Sequence, residues 1–487
     1  MTKYKLIIAI IVGAFTILGC EKVLDVTPPS EFAPGNVLTN EAGLKAVLFS
    51  AYANQQNPTP SRWLINNSAV TTDEGFDSGG GENLTLVQLI NFTWDASLGT
   101  FRDDYWSPSY RCIRDANIII DNIENTNMSD EKKKLYAAEA LFLRAYSYGE
   151  LYKWFGPVPL RISSETPPQL ARATDEEMKS QIESDLLTAA AGLPAPGTET
   201  AFGRATKASA LGILAKFYLN SKQWQKASDA CKKIIDMNYF NLFPDYANLF
   251  RVENEGNKEM IMVAPAKNQN GFGNWFSAGA LPPGFKTSIQ IPEFVWQNGM
   301  ANFATQYRLR DETVALFDLT KDKRAVLVLR SYQNTAGQTV DLLTTKDNAR
   351  SLKYWDNNTI GNHSGNDIPI LRYADILLTK SEADNELNGP TQASLELMNL
   401  IRKRAGIDAL TLTDLATKEA FRKTILDERG RELYSEAKRR EDLLRHNVFI
   451  SKAIERGITN ASEKHKLFPI PQSEIDANPL CKQNEGY

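Results

Sequence analysis

The chain has 487 residues, 42% hydrophobic and 23% charged, enough to bury a large core. Its formal net charge of −4 argues against a nucleic-acid partner, which would need a cationic surface. The 3 histidines (His363, His446 and His465) lie far apart and the 4 cysteines form no Cys-x-x-Cys, so no metal or redox centre and no cofactor is expected.

Lys3 and Lys5 precede an apolar run, Leu6 to Leu18, that is too short to span a bilayer comfortably. It ends in Ile17-Leu18-Gly19-Cys20, which resembles the lipobox of a bacterial lipoprotein, with Leu18 bulkier than the usual residue there. Residues 1–19 are therefore expected to be a signal peptide, Cys20 the acylated N-terminus, and residues 20–40 a lipidated tether. Cys112, Cys231 and Cys481 fall in helical or tail patterns and read as small buried hydrophobes.

Helical periodicity starts at Glu41 to Gln55, with Leu44, Val47, Leu48 and Tyr52 on one stripe. It is lost from Asn57 to Asp104, a stretch holding Thr72-Asp73-Glu74-Gly75-Phe76-Asp77 and Gly79-Gly80-Gly81. Structureless segments of that length are usually functional or disordered. Helices are predicted again over Trp106–Ile123 and Lys132–Phe155, with Arg144 expected in a structural ion pair to a neighbouring helix. Gly156-Pro157 stops the second of these, and Thr174 with Glu177 forms a capping box for Asp175–Ala191. From Gly203 to Met237 two amphipathic pieces flank the turn at Asn220-Ser221-Lys222-Gln223, at the spacing of a tetratricopeptide unit. Residues 238–367 then form an insert with little helical period, rich in Asn, Gly, Pro and aromatics. Strands are predicted at Met260–Val263 and Ala325–Leu329. A second hairpin pairs Ile368–Leu387 with Ala393–Arg404, and Ser381 and Ala393 echo the spacing of Ala215 and Ala227. A last helix, Phe421–Leu444, alternates Arg and Glu and reads as salt-bridged. The expected fold is mainly α: a tetratricopeptide-like scaffold (about 41–55, 106–237 and 368–450) within one body, 41–487. Two irregular, partly β segments, about 57–104 and 238–367, would form a ligand face.

Several blocks resemble the SusD/RagB family of Bacteroidetes outer-membrane nutrient-binding lipoproteins. They are FLRAYSYGELYKWFGPVPL, GRATKASALGILAKFYLNSKQW, IPILRYADILLTKSEADNEL, MNLIRKRAG, ERGRELYSEAKRREDLLR and the tail KLFPIPQSEIDANPLCKQNEGY. The tail is the most specific of them, and the blocks follow one order through to Tyr487. The resemblance implies an outer-membrane protein, lipid-anchored and facing the cell exterior. It also implies an oligosaccharide ligand and a SusC-type TonB-dependent transporter as partner.

Sugars present flat CH faces and hydroxyls, which suit aromatic rings and Asn, Asp or Arg side chains respectively. The ligand candidates in the irregular segments are Asp73, Phe76, Asp77, Asn83, Trp275, Trp296, Phe303 and Trp355. Trp94 and Trp106 are expected to be structural. In the starch-binding member of the family that the chain resembles, aromatics follow such a Thr-Asp-Glu stretch. Here no tryptophan follows Thr72-Asp73-Glu74, so the resemblance implies a ligand other than starch. Asp73-x-x-x-Asp77 fails as a calcium loop because Gly75 occupies a ligand position. A competing reading is a peptide-binding, RagB-like lipoprotein. A secreted glycoside hydrolase would need two positioned carboxylates, but no His-Glu-x-x-His, Gly-x-Ser-x-Gly or phosphate loop occurs, and no catalytic residue is expected. A pure interaction scaffold would have no use for tryptophans on exposed loops.

Overall fold

The computed structural model describes residues 38–57, 61–77, 79, 83–303 and 307–487. The expected signal peptide, Cys20 and most of the tether therefore lie outside the described residues. The molecule is mainly helical. Helix α1 (Glu41–Gln55) starts at Asn40, whose side chain accepts from the Gly43 amide at 3.0 Å.

The segment expected to be irregular holds two helices, α2 (Ser61–Val70) and α3 (Asn83–Asn91). In α3, Leu86, Leu89 and Ile90 are buried while Leu84 and Val87 are exposed. Nine residues with apolar groups on both faces blur the period that marks a longer helix. Helix α4 (Ser107–Asn122) continues a π-helical turn, Phe101–Trp106, and α5 (Asp130–Phe155) ends where Gly156 adopts φ 72°. In α5, Arg144 donates to both carboxylate oxygens of Asp185, at 2.8 and 2.9 Å, in helix α6 (Asp175–Gly192). The expected ion pair is there, and so is the Thr174–Glu177 capping box.

Helices α7 (Lys207–Asn220) and α8 (Trp224–Ile235) form the predicted hairpin, with Ala215, Ala227 and Cys231 fully buried. Gly212 lets this hairpin approach the strand Ile368–Arg372: a Cβ there would stand 2.1 Å from Leu371 Cδ2. Beyond α8 the chain forms short strands around a small helix, α9 (Phe276–Ala280). Strand β1 (Gly75–Phe76) pairs antiparallel with β4 (Arg308–Leu309), and β2 (Met260–Ala264) with β9 (Ile368–Arg372). Strands β3 (Phe285–Ser288), β6 (Ser331–Asn334) and β7 (Thr339–Asp341) make a three-stranded sheet, while β5 (Val328–Leu329) pairs with β8 (Arg350–Ser351). The predicted strand at Ala325 is a 3-10 turn, Lys323–Leu327, followed by two strand residues.

Ile368–Arg372, expected to open a helix, is strand β9, and the helix α11 begins only at Tyr373 and runs to Asn388 (α10 is the short Asp311–Val314). The pairing with β2 overrides the apolar spacing, as tertiary context often does for short runs. Helix α12 (Gln392–Ala405) completes the second hairpin. Ser381 donates its hydroxyl to the Ser394 carbonyl at 2.7 Å, so Ser394 makes the close contact while Ala393 is exposed.

The expected single helix 421–444 is two, α13 (Lys418–Leu433) and α14 (Arg439–Arg445), separated where Ser435 and Ala437 adopt positive φ. Its charges are not a solvated stripe. Arg372 is held by Glu259, Glu432 and Glu436, and Arg324 by Asp322, Glu428 and Glu432, all inside the molecule. Burial opposes ionisation of Glu428, yet Arg324 and Arg431 outweigh it and hold the carboxyl down at about 2. After α15 (Phe449–Glu455) the tail packs back on the N-terminal helices. Phe468 stacks on Trp154 at 5.0 Å and 6°, and Trp94 Nε1 donates to the Tyr487 hydroxyl at 2.8 Å. Trp94 and Trp106 are buried, and Cys112, Cys231 and Cys481 are buried free thiols.

Candidate functional site

Strand β1 joins the two irregular segments, with Gly75 opposite Leu309 and Phe76 opposite Arg308. Gly75 fits against α2 only because it lacks a side chain; a Cβ would stand 2.7 Å from Ala69 Cβ. Just before it, Thr72-Asp73-Glu74 turns inward. Asp73 is 5% exposed and accepts from Arg439 Nε at 2.7 Å and Nη2 at 2.8 Å, with Lys452 Nζ at 3.2 Å. Its carboxylate is thus held by α14 and α15 in charge-assisted pairs. Glu74 accepts from the Ser435 amide at 3.0 Å, and burial pushes its carboxyl up to about 7.

Phe76 is half-buried, with the Arg310 guanidinium 5.1 Å from its ring centroid. Asp77 is buried and accepts from the Gly79 amide at 3.1 Å, which closes its own turn. Asn83 opens α3 at a half-buried position.

The insert builds an aromatic corner around Trp275, the residue preceding α9. Trp275 is half-buried and its Nε1 donates to His363 Nδ1 at 3.0 Å. The two rings meet edge to face at 5.5 Å and 76°, and Phe303 closes the other side at 6.4 Å and 65°. Burial holds the His363 imidazole below its ordinary value, which keeps Nδ1 available as an acceptor. The backbone sets this geometry. Asn274 and Ser364 exchange N–H···O bonds of 2.9 Å, and the Phe303 amide donates to the Ala278 carbonyl at 2.7 Å. Gly273 permits the approach, since a Cβ there would lie 2.3 Å from His363 Cβ. Phe272 and Ile360, 58% and 60% exposed, extend the apolar surface on the same two chain segments.

The other predicted aromatics do not join this corner. Trp296 is half-buried beside β3, its amide bonded to the Lys286 carbonyl at 2.8 Å, and it makes no ring contact among the described residues. Trp355 is a core residue, 2% exposed, packed 5.1 Å from Phe294 with the Arg251 guanidinium 3.5 Å from its ring centroid. It offers no face to a ligand. Phe272 is one of the aromatics of the insert, whereas His363, Ile360 and Arg308 do not stand out in the sequence. No local pattern marks them, because their positions depend on which strands pair.

On the helical side a cleft of 480 Å³ lies among α5, α7 and α14, lined in part by Tyr146, Tyr152, Lys216, Phe217, Lys438 and Glu441. None of the predicted ligand residues lines it. Among the described residues no group of three or more His, Cys, Asp or Glu is arranged to hold a metal ion, and no helix is long and apolar enough to cross a membrane.

The model of the SusD family matches residues 326–487, and a model described as starch-binding and associating with the outer membrane matches residues 22–219. "SusD-like protein P25" of Formosa agariphila is 27% identical over the whole of both chains. "Starch-binding protein SusD" of Bacteroides thetaiotaomicron is 24% identical, over 94% of this chain and 91% of that one. Among solved structures, a laminarin-binding SusD-like protein superposes with a TM-score of 0.76 at 22% identity, covering 92% of this chain and 100% of the other. Surface glycan-binding protein A from Bacteroides thetaiotaomicron, in complex with laminarihexaose, has a TM-score of 0.74 at 20% identity, with 92% and 100% covered. These structural likenesses concern the fold.

Proposed function

The chain belongs to the SusD family, and on that premise we propose that it is a non-enzymatic binding lipoprotein that captures oligosaccharides at the cell surface. The observation that carries the reading is the corner of Trp275, Phe303 and His363, held by paired backbone segments beside exposed Phe272 and Ile360. Rings set at an angle offer two apolar faces to the CH surfaces of successive sugars, and the surrounding polar backbone suits their hydroxyls. Relatives described as binding starch or laminarin support the ligand class. Cys20 would carry the lipid that holds the protein to the outer membrane, facing outwards, and a SusC-type TonB-dependent transporter would receive the cargo. The body that does this would be residues 41–487, behind a tether of residues 20–40. Affinity would lie between micromolar and millimolar, about −4 to −8 kcal/mol, because the cargo must also be released.

The test is retardation of the chain, begun just after Cys20, in gels containing host, plant and algal polysaccharides. Retardation by at least one polymer, without its breakdown, is expected. Breakdown of the polymer would point to a hydrolase. No retardation, with binding of peptides instead, would replace the glycan by a peptide ligand.

A further inference from the structure

The strands beside the aromatic corner carry a concentration of arginines for which the aromatic reading has no use. β1 pairs with β4, and β4 meets β8 through Leu309 and Ala349, so Phe76, Arg308 and Arg350 stand opposite one another in a row. Opposed residues of antiparallel strands project to the same face, and Arg310, two residues along, joins them. Its guanidinium lies 5.1 Å from the Phe76 ring centroid. Arg456, just beyond α15, lies near enough to Arg310 to feel its charge.

Among the described residues, few carboxylates answer these four charges. Asp77 and Asp347 face Arg308, Asp347 is 3.3 Å from Arg310, and Asp73, Glu312 and Asp347 face Arg456, although Asp73 is already taken up by Arg439 and Lys452. Glu312 is exposed. Arg350, 1% exposed, has only uncharged acceptors, the Asn348 and Ala349 carbonyls and Asn348 Oδ1, and its buried Nε has none. Arg456 donates through Nη2 to the Thr71 carbonyl at 3.3 Å, and its buried Nε and Nη1 find no acceptor. Burial, and then the neighbouring Arg308, pushes the Arg350 guanidinium down to about 9; burial, and then Arg310, pushes Arg456 to about 10. In a chain of net charge −4 such a local excess is costly unless an anion meets it.

We propose that this face is an anion subsite, and that the captured oligosaccharide carries carboxylate or sulfate groups that Arg308 and Arg456 meet at the solvent boundary. Arg310 and Arg350 stand behind them and raise the local potential. Guanidinium is suited to both groups through its planar fork of donors. The proposal rests on the glycan reading above, and its test separates the two.

The experiment measures binding of the mature chain to polygalacturonate and its carboxyl-reduced form, to a sulfated galactan and its desulfated form, and to neutral laminarin, at low and high salt. The expected result is preference for one charged polymer over its uncharged partner, weakened by salt. Which pair shows it tells carboxylate from sulfate. Arg308→Gln should reduce that binding roughly tenfold, the worth of a charge-assisted contact, with partial recovery in Arg308→Lys. Arg456→Gln gives a second variant should the first fail to fold. Binding of neutral and charged partners alike, or charged binding that neither variant weakens, would overturn the anion subsite and leave glycan capture standing. Binding of acidic peptides and of no polysaccharide would overturn both.

Discussion

Asp73 and Arg439 stand 366 positions apart in sequence and 2.7 Å apart in space, a pairing that no local pattern announces. Asp73→Asn leaves Arg439 buried against a neutral amide. It should destabilise the fold by about 3–5 kcal/mol in urea unfolding while any residual folded protein still binds ligand. A binding loss without a stability loss would return Asp73 to the site. Two further carboxyls give opposite pH signatures. The Glu428 carboxyl sits at about 2 when folded, against about 4.3 for an unfolded glutamate. Its contribution is therefore complete above that unfolded value and lost as pH falls towards 2. Glu74, raised to about 7, holds a proton that the unfolded chain releases, so its contribution is present at low pH and lost as pH rises through 7. Urea midpoints should therefore decline between pH ~5 and ~7, and Glu74→Gln should lessen that decline, with Asp367 and Glu255, raised by burial to about 7 and about 8, carrying the rest. A wild-type profile already flat over this range would contradict the assignment.

Among the elements, legibility followed length and period. The helices of 12 residues or more with one apolar stripe, such as 41–55 and 224–235, were readable to within a residue or two. The short helices at 61–70 and 83–91 were not, and strand β9 was read as helix, because a five-residue apolar run carries no period of its own. The break between α13 and α14 escaped notice for another reason. Ser435 and Ala437 adopt positive φ without glycine, on either side of Glu436, which is paired with Arg372 and Lys353 in the interior. In the site, Trp275 and Phe303 were legible as loop aromatics, whereas His363 enters through the Asn274–Ser364 pairing, and Trp355 is lost to Arg251. That pairing depends on Gly273. Gly273→Ala should push the His363 backbone away, weakening glycan retention at least as much as it lowers stability, by about 1–3 kcal/mol. Unfolding midpoints and gel retardation on the same variant check this; unchanged retardation would separate the corner from binding.

Across the whole molecule the tail locks the ends of the fold together. Phe468 is fully buried and lies against Phe101, Tyr105 and Trp154, with the Arg440 guanidinium 4.9 Å from its ring centroid. Phe468→Ala should cost about 3–5 kcal/mol in chemical unfolding, far more than a change on the ligand face. A cost below about 1 kcal/mol would show that the tail is an accessory rather than part of the core. With stability placed in the scaffold and tail, the aromatic corner is left as a surface whose loss need not unfold the protein. The most direct test of that division is calorimetric titration of Trp275→Ala, beside the unaltered chain and Trp296→Ala, with fragments of whichever polysaccharide retards the protein. Trp275→Ala is expected to lose about 1–2 kcal/mol of binding or more, as a stacking aromatic does, and to keep its unfolding midpoint, while Trp296→Ala binds normally. Undiminished binding by Trp275→Ala, with the fold intact, would contradict it and move the site elsewhere on the molecule.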